Sequence, residues 1–428
     1  MSALLDSVRR MADATPPDRD RTIDFLRAVS IGVVVAGHWL IAVVTWKDGS
    51  IEGENALELI EGAWILTWVF QVMPVFFFVG GFSNRRSVAG AERRGDGYAG
   101  YLASRLARLL SPTIVFLAIG LVIVVTLDAA NVADDVVFPA STLVTRPLWF
   151  LGVYAIVVAL APVMVRLHER FGIGVPIGML VTAVAVDVAR FGFDISAVGY
   201  VNYPVVWLLA HQLGFFIGPS LERLRGWLLA VGLGGMVIGT TIGPYPGSMV
   251  GLSSDEFSNM DPPTLAIVAL TLFQIGLVMT ARPALSRWLG RRGPWSVVIL
   301  ANSVIMTMFL WHLTAMLMAV GLLLPLGFPQ PDAGTLQWWL LRPVWIAALA
   351  VILTGLVTLF GAAERSAPRP DTAGPRAPGS SLVAAAAAIM VTFGILGFAL
   401  GGMHQLFSTE GSELIVFRTN PASNILHL

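Results

Sequence analysis

Residues 21–46 read RTIDFLRAVSIGVVVAGHWLIAVVTW, and this stretch decides the fold class. From Val29 to Trp46 it holds no Asp, Glu, Lys or Arg. A helix of that length approaches the thickness of a bilayer's hydrocarbon core, and lipid cannot satisfy free backbone polar groups, so the run predicts a spanning helix. Ten more apolar runs follow, near residues 63–82, 110–127, 148–165, 171–189, 197–218, 227–243, 264–280, 296–325, 338–360 and 382–402. The run at 296–325 exceeds one crossing, which predicts a tilt, a kink or an overrun. Composition agrees: of 428 residues 56% are hydrophobic and 13% charged, with a mean hydropathy of +0.76. Soluble domains carry about twice that share of charge. The expectation is an all-α integral membrane protein with eleven spans. The long unbroken runs speak against an outer-membrane barrel, which shows short alternating segments.

Net charge is zero, but the charges are sorted by loop. Of the 27 cationic residues, 22 fall in 1–28, 83–109, 166–170, 219–226, 281–294 and 361–381. The opposite side holds only Lys47, Arg146, Arg190, Arg342 and Arg418. The positive-inside bias therefore predicts a cytoplasmic N-terminus and an extracytoplasmic C-terminus. Cysteine is absent, which removes disulfides, thiolate metal sites and cysteine nucleophiles. No basic domain or recognition motif points to nucleic acid.

Residues 1–22 read as a cytoplasmic interfacial segment, not a signal peptide, because no apolar stretch with a cleavage site precedes Asp24. Within it Leu4, Leu5, Val8 and Met11 share one helical face beside Arg9 and Arg10, as in a helix lying on the inner leaflet. Residues 23–364 form the transmembrane body. Residues 365–381, opening RSAPRPDTAGPRAPGS, form a Pro/Ala-rich cytoplasmic linker, and 382–428 add an extra helix and an extracytoplasmic tail.

Titratable groups inside spans are costly and mark function. His38 falls near the middle of the first run, with Arg27 at its cytosolic mouth. Eleven helical residues make three turns plus about 20°, so the two share a face about 16 Å apart. Asp24 precedes Arg27 by three and can pair with it. The plainer reading is a hydrogen-bonded core histidine with a snorkelling arginine. Arg105 and Arg108 open the third span on one face, a fork suited to phosphate, although the positive-inside rule alone places arginines there. His312 lies in the long ninth run with Asn302 almost three turns before it, and catalysis and packing fit it equally. His211 reads as structural. The stretch MPVFFFVGGFSN, with Arg85 just beyond, reads as tight helix packing through Gly80 and Gly81. Asp187 reads as an interfacial acid beside Arg190. The in-span histidines lack metal-ligand spacing, and no metal is expected.

The stretch Arg21 to Arg27, followed by ten residues and His38, resembles the opening helix of the membrane-bound acyltransferase-3 family. Four further pieces match in order: PVFFFVGGF, the R-x-x-R of Arg105 and Arg108, Trp149-Phe150-Leu151, and FLWH ending in His312. Relatives often carry Ser-Gly where this chain has Gly80-Gly81. The resemblance spans about residues 25–360 and implies a ten-helix acyltransferase body, here with an eleventh helix added. It implies transfer of an acyl group, most often acetyl, from cytosolic acyl-CoA as co-substrate to a hydroxyl of an envelope carbohydrate or glycolipid. On that reading His38 is general base or acyl carrier, Asp24 orients Arg27, and His312 assists. Arg27, Arg85, Arg105 and Arg108 then face the nucleotide. The hydrolase-like domain of some relatives is missing, so transfer is expected within the membrane body. The Arg/Ala-rich, Lys-poor chain points to a high-GC bacterium, its inner membrane, and an acceptor such as a mycolyl-trehalose glycolipid. The competing expectation is a lipid or glycolipid transporter, which also places titratable residues at mid-membrane; the sequence shows no internal repeat in its favour.

Overall fold

The apolar runs form helices whose ends are set by the polar residues flanking them. The structure, a computed structural model, describes residues 12–16, 19–47, 50–132, 134–365, 412–414 and 417–419. Helix α1 (Arg21–Ile41) leads into a hairpin of β1 (Ala42–Lys47) and β2 (Ser50–Asn55), paired from Ala42↔Asn55 to Lys47↔Ser50. Then come α2 (Met73–Arg94), α3 (Gly97–Ala129), α4 (Asp134–Thr145), α5 (Leu148–Phe171) and α6 (Gly174–Gly192). The series continues with α7 (Asn202–Leu213), α8 (Pro219–Thr241), α9 (Leu265–Leu289), α10 (Arg292–Asn302), α11 (Ile305–Leu323) and α12 (Leu336–Arg365).

Among the described residues nine segments are long and apolar enough to cross a membrane: 21–41, 63–94, 97–129, 140–171, 174–192, 219–241, 265–289, 305–323 and 336–362. They correspond to nine of the eleven expected spans, and the chain is an all-α multi-pass membrane protein. The interfacial helix over residues 4–11, the linker beyond Arg365 and the span at 382–402 lie outside the described residues.

Four expectations are corrected. The first span starts at Arg21, eight residues earlier than Val29, because Asp20 caps it by accepting from the N–H of Thr22 and Ile23. It stops at Ile41, where Ala42 turns extended and the β-branched Val43, Val44 and Thr45 continue as strand. His38 thus sits in the last turn of α1, not midway along a span. The third helix starts at Gly97, so Arg105 and Arg108 lie two to three turns inside it. The run at 197–218 is no single α-helix: twelve α-helical residues are flanked by 3₁₀ turns at Ser196–Val201 and Gly214–Phe216. Finally, 296–325 is two helices broken at Ser303–Val304. There the Asn302 amide donates to the Val298 carbonyl and the Ser303 hydroxyl to that of Leu300, and such local bonds compete with the helix. Asn302 and His312 therefore lie on different helices.

The chain forms two compact units. The first comprises residues 1–86, 163–305 and 330–342, and the second 87–162, 306–329 and 343–428. The chain passes from one to the other inside α5 at Pro162 and inside α12 at Pro343, where a helix loses a backbone hydrogen bond. In the first unit Ile23, Leu26, Phe78, Val79, Ile275 and Met279 form a core between α1, α2, α8 and α9. Small residues let helices touch: a Cβ on Gly232 would lie 2.2 Å from the Phe273 nitrogen. In the second unit Trp311 stacks on Phe360 at 4.3 Å and meets Phe116 edge-on at 5.2 Å, tying α11 to α12 and α3.

Candidate active site

In the first unit the site is built on α1. Asp24 is buried, and its carboxylate takes Arg19 Nε at 2.6 Å and Arg27 Nη1 at 3.4 Å. Arg27 reaches on through Nη2 to the Ser83 hydroxyl on α2, at 2.9 Å. The sequence-predicted Asp24–Arg27 pair therefore exists, and its orientation is fixed by a partner 56 residues away. Around it the N-terminal end of α1 is held by cations. Arg282 bridges Asp20 at 2.7 Å and Glu222 at 2.9 Å, and Arg21 donates to the Leu289 carbonyl and lies over the Trp295 ring. Asn302 donates to the Asp24 carbonyl, so its amide ties α10 to α1. Because α1 is unbroken from Arg21 to Ile41, His38 follows Arg27 on the same face, about 16 Å along the axis. The His38 ring is partly buried.

Arg85 is exposed, but its Nη1 donates to the Phe215 carbonyl at 2.7 Å, which pins the 3₁₀ turn after α7. Beside it lies a pair that sequence reasoning did not assemble. Asn84 Nδ2 meets His211 Nε2 at 3.1 Å, with both residues fully buried. A Cβ on Gly81 would stand 1.8 Å from the His211 carbonyl oxygen, so the glycine is what lets α2 and α7 approach. Asp187 lies near Arg190, as expected, and has further partners. It accepts from Asn202 Nδ2, the Tyr245 hydroxyl and the Leu265 N–H at 2.7–2.9 Å, while Arg190 donates to Pro262 O.

In the second unit Arg105 is half-buried and Arg108 exposed on α3. Glu364, at the end of α12, accepts the N–H groups of Met306 and Thr307 and the Thr307 hydroxyl, capping α11, with Arg108 near enough to act on its charge. His312 on that helix is completely buried, and its Nδ1 lies against the Phe309 carbonyl. A carbonyl only accepts, so Nδ1 carries a hydrogen. Phe309 packs edge-on against Phe150, and Tyr154 stacks on Phe150, so the WFL motif and FLWH share one aromatic cluster. One turn beyond Arg105 an apolar crevice opens between α3 and α5, lined by Leu109, Thr113, Leu117, Leu148, Leu151 and Gly152. Asp24, Arg27, Arg85 and His38 thus belong to the first unit, and Arg105, Arg108 and His312 to the second.

Ser83 and Glu364 had no signal in sequence, because each acts on a partner more than fifty residues away. Asn84 stood beside the GG pair, but only the fold shows it facing an imidazole. A family model described as an acyltransferase domain, acyltransferase-3, matches residues 20–361. No curated protein and no solved structure matches the chain.

Proposed function

The chain belongs to the acyltransferase-3 family, and from that premise we propose that it moves an acyl group, acetyl by preference, from cytosolic acyl-CoA to a hydroxyl of an envelope carbohydrate or glycolipid. The observation that carries this reading is the clamp on α1: Arg27, held by Asp24 and Ser83, three turns from His38 on one face of one helix. A fixed guanidinium suits phosphate, and a partly buried imidazole suits proton transfer. His38 takes the proton of the acceptor hydroxyl as its oxygen attacks the thioester carbonyl, then returns that proton to the departing CoA sulfur. The exposed Arg108 and half-buried Arg105 offer charge to the nucleotide phosphates.

The charge sorting supports a bacterial inner-membrane setting with the Arg27 end of α1 in the cytoplasm. The test is turnover of radiolabelled acetyl-CoA by the purified protein in nanodiscs supplied with envelope lipid extract. His38→Ala should cost at least about 100-fold, with an unchanged melting temperature. Turnover retained in that variant removes His38 from the chemistry. Mass spectrometry of the extract then identifies the lipid that gains the acyl mass.

A further inference from the structure

Arg342 lies six residues into α12 and is 9% exposed. Buried arginines are almost always paired. This one makes no ion pair or hydrogen bond among the described residues, and its Nε is shut off from solvent without a partner. Its guanidinium lies 4.0 Å from the centroid of the Trp338 ring. Trp338 is 3% exposed, and its indole N–H is also sealed and unpartnered. A cation–π contact offsets only part of what it costs to take a full charge out of water. Two adjacent groups therefore offer donors alone, with no acceptor to meet them.

Their position narrows the ligand. Trp338 packs with Val43 and Ala56, against Leu40 at the end of α1. His38 is two residues from Leu40, and Arg342 is one turn from Trp338, so the unpaired charge belongs to the neighbourhood of the His38 end of α1, opposite Arg27. The surrounding surface is apolar and the segment spans the membrane. A phosphodiester is the anion that a membrane supplies at that depth, and its two free oxygens match the guanidinium fork.

We propose that Arg342 and Trp338 form a phosphate-ester site, occupied by a lipid headgroup near the His38 end of α1. It deepens the acyltransferase reading by giving the acceptor side an anchor for an anionic lipid, and its test does not depend on turnover. The full-length protein is placed in nanodiscs of phosphatidylcholine, and its melting temperature is followed in two arms at constant ionic strength: added inorganic phosphate, and replacement of lipid by phosphatidylglycerol. The expected result is a saturable rise with phosphatidylglycerol that Arg342→Gln abolishes and Arg342→Lys retains in weakened form. A rise in the phosphate arm alone, lost in Arg342→Gln, overturns the lipid as occupant and assigns a free phosphate ester. An equal rise in Arg342→Gln, or none in either arm, overturns the site. Should Arg342→Gln not fold, Trp338→Phe decides. It keeps an aromatic face, smaller than the indole, and removes the N–H, and half-saturation should move about fivefold; an unchanged midpoint refutes the proposal. Arg342→Gln should leave acetyl-CoA affinity as in the native protein. A native protein that binds no acetyl-CoA would sink the acyltransferase reading and leave the anion site standing.

Discussion

At the scale of single residues, the arginines differ in what holds them. Arg21, Arg85 and Arg282 are engaged by backbone carbonyls or carboxylates, whereas Arg105 and Arg108 keep exposed surface in the second unit. Replacing both Arg105 and Arg108 by Ala should weaken acetyl-CoA binding about tenfold, with a steeper loss at low salt, as calorimetry would record. Unchanged affinity would remove them from donor docking. The Asn84–His211 pair predicts a different outcome. Asn84→Ala withdraws the amide from a fully buried imidazole nitrogen and should cost about 1–3 kcal/mol, read as a lower melting temperature, with little change in acetyl-CoA affinity. The residues of α1 were legible because helical period alone relates Asp24, Arg27 and His38. Ser83, Asn84 and Arg342 were not, since a polar residue declares its partner only when another helix is placed against it.

At the scale of elements, long apolar runs announced their helices, while the breaks needed chemistry that hydropathy averages away. The hairpin after Ile41 had a cue in Val43, Val44 and Thr45, and Asp48-Gly49 is a dipeptide favoured in hairpins, but the apolar run carried the span through it. The gap between α10 and α11 depends on Glu364, about sixty residues on, which replaces the missing intrahelical acceptors for Met306 and Thr307. Burial pushes the Glu364 carboxyl above its ordinary range, and the hydrogen bonds it accepts only partly oppose that. A carboxyl raised by folding binds its proton more tightly in the native state. Its stabilising contribution is full below the unfolded value and is lost as pH rises through the raised one. As pH rises past the ordinary glutamate range, the native protein should therefore lose stability relative to Glu364→Gln, measured as the difference between their melting temperatures. A flat difference would show that the carboxyl titrates normally. Packing offers a second element-scale test. Gly81→Ala drives a methyl into the His211 carbonyl and should cost about 1–3 kcal/mol, whereas Gly32→Ala on α1 meets nothing within 4 Å and should be neutral or slightly stabilising.

At the scale of the whole molecule, the sorting of charge makes one claim that governs the chemistry: the Arg27 end of α1 faces the cytoplasm, where acyl-CoA is made, and the His38 end faces away. The absence of cysteine makes this testable without a cysteine-free background. Ser254 lies in the exposed loop between α8 and α9, and Glu92 is exposed near the end of α2. With the broken segment 196–216 counted as a crossing besides the nine long helices, a membrane-impermeant maleimide should, in intact cells, label Ser254→Cys and leave Glu92→Cys untouched until the membrane is opened. The sequence expectation of an eleventh crossing after Arg365 has its own test: Ile415→Cys should then label from outside, and a cysteine at position 370 should not. If Ser254→Cys and Glu92→Cys behave as expected but Ile415→Cys is protected, the ten-helix body stands and the added helix does not cross. If Glu92→Cys labels and Ser254→Cys does not, the molecule is inverted. His38 would then lie at the cytoplasmic end and Arg27 away from any source of acyl-CoA, and the assignment of donor and acceptor to the two ends of α1 would fail together.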